Sequence, residues 1–269
     1  TVSGRTDRIM KLLDLRGKTA IVTGGAGQLG RAMCRGLADC GANVCVCYYS
    51  QKDFAHQLAE EMERIYEVKA IAVQADVTEL SSILAMKEKV NQVLGHVDIL
   101  VNNAIIAHEW KKVLDQDVKN YETQFRSTVL QAVLMAKAFV PDMIKAKHGR
   151  IIGINTECAM QMLPYQSAYI SGKRAMDGVY KVLAKEIGMH GITVNEVAPG
   201  WTLSDNCREH DGTEANLKQD FPYISTVPLH RRGSDEEVAN AVCFLASEQA
   251  SFISGVYLPV CGGNVMPCI

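Results

Sequence analysis

The sequence predicts one α/β domain built on a doubly wound parallel sheet with helices on both faces. Short apolar runs alternate with amphipathic helical patterns along the chain, and strands that alternate with helices pair in parallel through right-handed crossovers. A glycine-rich loop follows the first apolar run. No long linker, low-complexity tract or internal repeat divides the 269 residues, a length that one α/β domain can reach.

Each strand is predicted from an apolar run and each helix from a helical pattern. The predicted strands are Lys18–Thr23, Asn43–Tyr49, Ala70–Ala75, Asp98–Asn102, Arg150–Asn155, Thr193–Ala198 and Val256–Val260. The predicted helices are Leu29–Cys40, Asp53–Tyr66, Glu79–Leu94, Asp117–Ala146, a helix through Tyr169 to Met189, and Glu236–Ala246. Residues 1–12 are predicted to be a mobile extension ahead of a domain at 13–269. The polar segment at 201–232 is predicted to form a substrate lid.

Composition excludes several classes of partner. With 48% hydrophobic residues and a net charge of −2, the chain gives no electrostatic reason to expect nucleic acid or an anionic membrane as a partner. No apolar run is expected to reach the ~18 residues that span a bilayer. The nine cysteines contain no Cys-x-x-Cys, and the histidines have no metal-ligand spacing. We therefore expect reduced thiols, a cytoplasmic location and no metal.

The loop after the first strand has the pattern of a dinucleotide-binding site. Gly25, Gly27 and Gly30 spell Gly-x-Gly-x-x-Gly between a strand and a helix. Glycines at these positions permit a tight turn and let a pyrophosphate approach the helix N-terminus. The sequence therefore predicts a Rossmann-type nucleotide site here.

The end of the second strand bears on the choice of nucleotide. No carboxylate that could bind a ribose 2′-hydroxyl appears there before Asp53, which is interpreted as a helix N-cap. Ser50 and Lys52 could instead hold a 2′-phosphate. This favours NADP, with NAD as the alternative.

Tyr169 and Lys173 form the most informative pair in the chain. Four residues apart on a helix, they lie on one face. An ammonium group beside a phenol lowers its pKa from about 10. The pair predicts proton transfer to a carbonyl or from an alcohol.

These motifs together resemble those of the short-chain dehydrogenase/reductase family. Beyond the glycine loop and the Tyr–Lys pair, the matches are Asp76-Val77, Asn102-Asn103-Ala104, Pro199-Gly200 and a C-terminal signature around Arg232–Ala239 and Gly255–Gly263. The resemblance covers the chain from Leu13 to about Asn264 and implies a single Rossmann domain of the shorter branch.

The resemblance also implies a role for each matched position. Tyr169 would be the acid or base, Lys173 would lower its pKa and bind the nicotinamide ribose, and Thr156 would hold the substrate oxygen where the family has serine. Thr128 aligns with the fourth catalytic residue of the family, an asparagine. The implied cofactor contacts are Gly24, Gly25, Gly27, Gln28, Leu29, Gly30, Tyr48, Ser50, Asp76, Val77, Asn103, Ala104, Ile105, Tyr169, Lys173, Pro199, Gly200, Thr202 and Ser204.

Several positions depart from the pattern of the shorter branch. Thr128 replaces the asparagine amide, so a water relay to Lys173 would have to be built differently. Ile105 adds bulk where the family motif has glycine. Gln28 occupies a glycine position, and the loop matches that of a longer sugar-nucleotide branch, whose large substrate domain this chain has no room for.

The implied activity is hydride transfer between a nicotinamide and a ketone or secondary alcohol. The substrate could be a 3-oxoacyl thioester, a sugar-acid ketone or another secondary alcohol. One alternative is an epimerase or dehydratase with transient redox chemistry, and another is a non-catalytic nucleotide-binding protein. The residues expected to line the substrate pocket are Glu157, Met160, Met162, Leu163 and Tyr165. The resemblance implies a homotetramer or homodimer, with subunits pairing through the apolar helix Thr128–Ala138.

Overall fold

Seven parallel strands form one sheet in the order β3-β2-β1-β4-β5-β6-β7. The structure is a computed structural model that describes residues 13–202 and 222–266. The strands are β1 (Thr19–Thr23), β2 (Asn43–Tyr48), β3 (Ala70–Gln74), β4 (Ile99–Asn102), β5 (Gly149–Ile154), β6 (Ile192–Pro199) and β7 (Tyr257–Val260). The predicted parallel α/β sheet is confirmed, and each strand lies within two residues of its predicted bounds. The predicted extension at 1–12 and the part of the predicted lid at 203–221 lie outside the described residues.

Helices cover both faces of the sheet. The α-helices are α1 (Gln28–Asp39), α2 (Lys52–Tyr66), α3 (Leu80–Val93), α4 (Val118–Phe125), α5 (Gln131–Ala146), α6 (Cys158–Gln161), α7 (Ser167–Ile187) and α8 (Asp235–Ala246). A π-helical segment, Arg126–Leu130, joins α4 to α5 without a break. Short 3₁₀ turns are Val113–Asp115, Gly188–His190 and Glu248–Ala250.

Alternate residues of the buried strands enter two apolar clusters, one on each face of the sheet. One cluster contains Val22 and Val44 together with residues of α1, α2 and α8. The other contains Ile21 and Cys45 together with residues of α3, α5 and α7. This two-sided burial explains why the strands read as continuous apolar runs.

One predicted helix start is wrong. The N-cap of α2 is Gln51, and Asp53 lies in the first helical turn. The Gln51 side chain makes no capping hydrogen bond, so the usual capping signal is absent from this helix start. A carboxylate in the first turn still interacts favourably with the positive end of the helix dipole.

The long helical stretch Val118–Ala146 is also more apolar than expected. An 18-residue window within it has a mean hydropathy of 1.3, enough by length and composition to cross a membrane. A core helix meets the same criterion, and 56% of this window is buried inside the protein. Its burial against the sheet accounts for the composition.

Close packing of α7 on β5 fixes the helix that carries Tyr169. A Cβ at Gly153 would lie 2.3 Å from Cε2 of Tyr180, so only glycine leaves room for this ring. Asn102 at the end of β4 donates a hydrogen bond to the Tyr180 hydroxyl at 2.8 Å. The carboxyl ends of β4 and β5 therefore set the position of α7.

Candidate active site

A cavity of about 650 Å³ opens where the strand order reverses, beyond the carboxyl ends of β1 to β4. Gly24 has a positive φ of 61° in the loop beneath it. A Cβ at Gly30 would lie 2.2 Å from the Gly24 carbonyl oxygen, so glycine is needed for the loop to pass this close to the start of α1. A helix N-terminus beside such a loop fits the phosphates of a dinucleotide.

Most predicted cofactor contacts lie on this cavity. Those that line it are Gly24, Gly27, Gln28, Leu29, Gly30, Tyr48, Ser50, Asp76, Val77, Asn103, Ala104 and Ile105. Gly25 instead faces the sheet, because a Cβ there would lie 2.9 Å from Cγ1 of Val46. Lining residues that sequence reasoning missed are Ala26, Cys47, Tyr49, Gln51, Ala75, Thr78, Ile106, Ala107 and Ser127.

One threonine ties two walls of the cavity together. The Thr23 hydroxyl donates to Oε1 of Gln131 at 2.6 Å and accepts from the backbone N–H groups of Asn103 and Ala104 at 2.9 and 3.0 Å. Nε2 of Gln131 donates to the carbonyls of Ala104 and Ser127 at 2.9 and 2.6 Å. The loop after β4 is thereby fixed to the end of β1.

The far end of the cavity is lined by Tyr48, Tyr49, Ser50 and Gln51. None of these is a carboxylate that would repel a 2′-phosphate. Lys52, predicted to help hold a phosphate, is the first residue of α2 and is not part of the lining.

Tyr169 and Thr156 meet at the carboxyl end of β5. Thr156 is buried, with 7% of its surface exposed, and its hydroxyl accepts a hydrogen bond from the Cys158 N–H at 3.2 Å. Burial raises the pKa of Tyr169 to about 12, while a hydrogen bond with the Thr156 side chain acts in the opposite direction. Near neutral pH Tyr169 is therefore a protonated phenol, the form that can donate a proton to a carbonyl oxygen.

Lys173 lies on the same face of α7 and is buried. Its Nζ donates to the Ile154 carbonyl at 2.5 Å and lies 5.9 Å from the centroid of the Tyr169 ring. Burial lowers the pKa of Lys173 to about 8, and Glu196 opposes this shift. The predicted lowering of the Tyr169 pKa by Lys173 is not present in this arrangement, because burial dominates and that pKa is raised.

A buried polar network lies beneath these residues. Nδ2 of Asn155 donates to Oε1 of Glu196 at 2.7 Å and to the Lys173 carbonyl at 3.1 Å. Oδ1 of Asn155 accepts from the Thr156 N–H at 3.0 Å and from the Tyr257 hydroxyl at 3.2 Å. Asn155 therefore connects Glu196 to the backbone of both Thr156 and Lys173.

Comparison with known proteins agrees with this geometry. A family model described as Enoyl-(Acyl carrier protein) reductase matches residues 24–264. The chain is 34% identical over 259 residues to the 3-oxoacyl-[acyl-carrier-protein] reductase FabG of Staphylococcus aureus strain Mu50, covering 93% of this chain and 98% of the relative. It is also 34% identical over 265 residues to FabG of Escherichia coli K12, covering 94% and 100%.

The chain belongs to the short-chain dehydrogenase/reductase family. This is a family of NAD(P)-dependent oxidoreductases. Solved structures similar to this chain include an NAD⁺-bound xylitol dehydrogenase, with a TM-score of 0.85, 25% identity and coverage of 93% of this chain and 99% of that one. Another is the L-sorbose reductase of Gluconobacter frateurii in complex with NADPH and L-sorbose, with a TM-score of 0.87, 28% identity and coverage of 95% and 99%.

Thr128 departs from the family pattern in its contacts as well as its identity. It lies in the π-helical segment and is 1% exposed. Its hydroxyl donates to the Gln124 carbonyl at 2.6 Å and packs against α7, where a Cβ at Gly172 would lie 2.8 Å from its oxygen. Within the described residues, no hydrogen bond joins it to Lys173, the partner expected of a family relay residue.

Glu157, one of the residues predicted to line the substrate pocket, is buried and hydrogen bonded. Glu157, 2% exposed, accepts from Nδ2 of Asn264 at 3.0 Å, and burial raises its pKa. Its backbone N–H donates to the Pro199 carbonyl at 2.9 Å. Tyr223 accepts a hydrogen bond from the Trp201 N–H at 2.9 Å. A buried carboxyl group, that of Glu157, therefore follows Thr156 directly in the chain.

The remaining predicted positions fall at the end of β6 or beyond it. A Cβ at Gly200 would lie 2.7 Å from the Tyr223 hydroxyl. Thr202 pairs with Gly233 in an isolated bridge. Ser204 lies outside the described residues. Met162, Leu163 and Tyr165 are exposed by 59%, 50% and 51%, beside the helix that carries Tyr169.

Two aromatic residues near Tyr169 were missed entirely. His108 and Trp110 lie in the loop after β4, and both rings contact Tyr169. Their only sequence signal was a pair of aromatic side chains in a loop downstream of Asn102-Asn103-Ala104, where loops of such folds carry function.

Glu196→Gln should remove a pH dependence of stability. Burial, together with a hydrogen bond that protonated Glu196 donates to Asp177, raises the pKa of Glu196 from 4.5 to about 8. The stability that the neutral Glu196 carboxyl group contributes is therefore fully present below pH 4.5 and is lost as the pH rises through about 8. Between these two pH values, the unfolding free energy of Glu196→Gln should rise relative to that of the parent protein by about 1.4 kcal/mol for each pH unit. Denaturant titrations across this pH range measure the difference. Parallel curves of unfolding free energy against pH for the two proteins would refute the prediction. Glu60→Gln, at an exposed position, is the control.

Proposed function

We propose that this protein is an NADP(H)-dependent oxidoreductase that interconverts a ketone and a secondary alcohol. The observation that carries the proposal is the meeting of Tyr169, Thr156 and Lys173 at the carboxyl end of β5. This strand pairs with β4, whose end borders the dinucleotide cavity, although none of the three residues lines that cavity. No second function is favoured by any observation on these residues.

Each side chain has a definite task in this proposal. Thr156 donates a hydrogen bond to the substrate carbonyl oxygen, and Tyr169 transfers its phenolic proton to that oxygen. When bound, the nicotinamide supplies the hydride that the carbonyl carbon accepts. In alcohol oxidation the Tyr169 phenolate removes the hydroxyl proton. Lys173, whose Nζ lies 5.9 Å from the centroid of the Tyr169 ring, would bind the nicotinamide ribose.

The preference for NADP rests on the lining of the cavity. The far end of the cavity contains the Ser50 hydroxyl and, apart from Asp76, the cavity lining has no carboxylate. The similar L-sorbose reductase was solved with NADPH, whereas the similar xylitol dehydrogenase was solved with NAD⁺. NAD therefore remains the alternative cofactor.

A cofactor and carbonyl screen tests the proposal. Thermal shift should rank NADPH above NADH. Tighter binding of NADH would contradict the prediction that Tyr48 to Lys52 accommodate a 2′-phosphate. Loss of NADPH absorbance with simple ketones, 3-oxoacyl thioesters and keto sugars should then reveal net reduction. Substrate conversion without net change in NADPH would indicate an epimerase or dehydratase. Tight binding without any turnover would indicate a non-catalytic nucleotide-binding protein.

Thr156→Ala should lower kcat far more than it lowers cofactor affinity. The variant loses the hydroxyl that would hold the reacting oxygen, a loss expected to cost roughly 10- to 100-fold in kcat because such a bond to developing charge contributes about 1.5–3 kcal/mol. Thr156→Ser, which keeps the hydroxyl, is the matched control. Steady-state kinetics and NADPH titration measure both quantities; unchanged turnover in the alanine variant would remove Thr156 from the reaction.

We also propose a homodimer or homotetramer in the cytoplasm. A groove of about 770 Å³ runs between α5 and α7 and is lined mainly by apolar residues, among them Val133, Val179 and Val182. Val129 and Ala138, which belong to the helix predicted to pair subunits, are 7% and 3% exposed and lie in the core. The seven described cysteines are free thiols, which supports a cytoplasmic location.

We also propose that residues 201–232 form a substrate lid. Of these residues, the structure describes Trp201, Thr202 and 222–232.

A further inference from the structure

The His108 ring lies against the face of Tyr169. The two rings are stacked, with centroids 4.5 Å apart and planes at 9°. Trp110 meets both rings edge-on, with centroids 4.4 Å from His108 and 5.7 Å from Tyr169. The loop after β4 thus brings an imidazole into direct contact with the residue proposed to transfer the proton.

The ring nitrogens of His108 are left unsatisfied in the part of the chain that the structure describes. Both ring nitrogens are buried, and neither has a hydrogen-bond partner within residues 13–202 and 222–266. Buried polar groups in proteins are nearly always paired, and an unpaired one needs an explanation. Because His108 contacts the residue proposed to transfer the proton, its unpaired ring nitrogens are explained if the substrate supplies their hydrogen-bond partner.

The protonation state of His108 limits what it can recognise. Burial and the nearby Lys173 cation lower its pKa below the ordinary 6.5; the Ile106 backbone opposes this shift without reaching hydrogen-bond geometry. The ring is therefore neutral at neutral pH, with one N–H donor and one acceptor nitrogen. A neutral hydroxyl group, itself both donor and acceptor, matches such a ring, whereas an anionic group would gain no charge attraction from it.

We propose that His108 is a specificity-determining residue that binds a hydroxyl group next to the reacting carbonyl, so that the substrates are α-hydroxy ketones and the corresponding vicinal diols. This inference rests on the proposed function of the same site. In this proposal Thr156 and Tyr169 would hold the reacting oxygen, and His108, whose ring centroid lies 4.5 Å from that of Tyr169, would pair with the hydroxyl group on the adjacent carbon. A simple acyl chain would leave the imidazole nitrogens buried and unpaired.

Two matched substrates and two matched variants test the inference. Acetoin and butanone differ by one hydroxyl group beside the ketone. His108→Phe keeps an aromatic ring on Tyr169 but removes both nitrogens, and His108→Gln keeps a donor and an acceptor without the ring. NADPH titration and thermal shift verify that both variants fold and bind the cofactor.

The parent protein should favour acetoin over butanone by at least about tenfold in kcat/KM. His108→Phe should bring this ratio to within about twofold of unity, chiefly by losing activity on acetoin, and His108→Gln should retain most of the preference. No preference in the parent, or an unchanged preference in His108→Phe, would overturn the inference.

A binding measurement separates failure of this inference from failure of the proposed function. Protein saturated with 1,4,5,6-tetrahydro-NADP, whose nicotinamide ring can neither donate nor accept a hydride, cannot turn over either compound, so calorimetry then reports substrate recognition alone. If neither ketone is turned over, acetoin binding that is lost in His108→Phe and kept in His108→Gln still supports the role of His108 while the proposed activity fails. Absence of acetoin binding to the parent would overturn the role of His108.

Discussion

Replacement of Tyr169 by phenylalanine should lower kcat/KM for carbonyl reduction by roughly 100- to 10,000-fold, the range that general acid catalysis supplies. The variant keeps the ring that stacks on His108 and loses only the hydroxyl that hydrogen bonds with Thr156. Affinity for NADPH should change far less than kcat/KM, because Tyr169 is only one of many predicted cofactor contacts. Steady-state kinetics and an NADPH titration measure the two quantities.

Tyr66→Phe serves as the control, because it removes a hydroxyl from the last residue of α2, away from the cavity. Its activity should equal that of the parent. If Tyr169→Phe retained more than about a tenth of the parent activity, another group would have to supply the proton.

Gly30→Ala should abolish most cofactor binding and destabilise the fold. The added Cβ would lie 2.2 Å from the Gly24 carbonyl oxygen and 2.8 Å from Cα of Gly25. Both are backbone atoms that cannot rotate away, so the loop beneath the cavity must shift. We expect at least a tenfold loss of NADPH affinity, and about 1–3 kcal/mol less unfolding free energy, the usual cost of overpacking. Isothermal calorimetry and denaturant unfolding measure these losses.

Gly188→Ala distinguishes crowding from a general effect of replacing glycine. Gly188 also has a helical backbone, but an added Cβ meets no atom within 4 Å. This variant should bind NADPH as the parent does. Equal losses in both variants would contradict the steric explanation for Gly30.

The sheet was predictable because both of its faces are buried, which makes each strand a continuous apolar run bounded by polar residues. The cavity was predictable because the glycine pattern is a local property of one loop. The π-helical segment was not, because residues 126–130 continue the helical pattern of the helices on either side and contain no local signal for a wider turn. The start of α2 was misplaced because Gln51 makes no side-chain cap.

The parts of the site that sequence reasoning missed are polar residues whose partners come from other elements. Asn155 and Glu196 lie inside predicted strands, and only the pairing of β5 with β6 brings them together. A glutamate within the apolar run at 193–198 was the available signal. The raised pKa of Tyr169 could not be foreseen either, since it follows from burial of the ring, which the spacing between Tyr169 and Lys173 does not report.

The link between Thr23 and Gln131 has a consequence for the thermodynamics of ligand binding. Because the hydrogen bonds of these two side chains already hold the end of β1 and the loop after β4 at a fixed spacing, this part of the cavity is assembled before a nucleotide arrives. Little conformational entropy remains to be lost there on association. Calorimetry of Gln131→Leu should therefore show a more unfavourable binding entropy for NADPH than the parent, reflecting a loop that must then be ordered by the ligand.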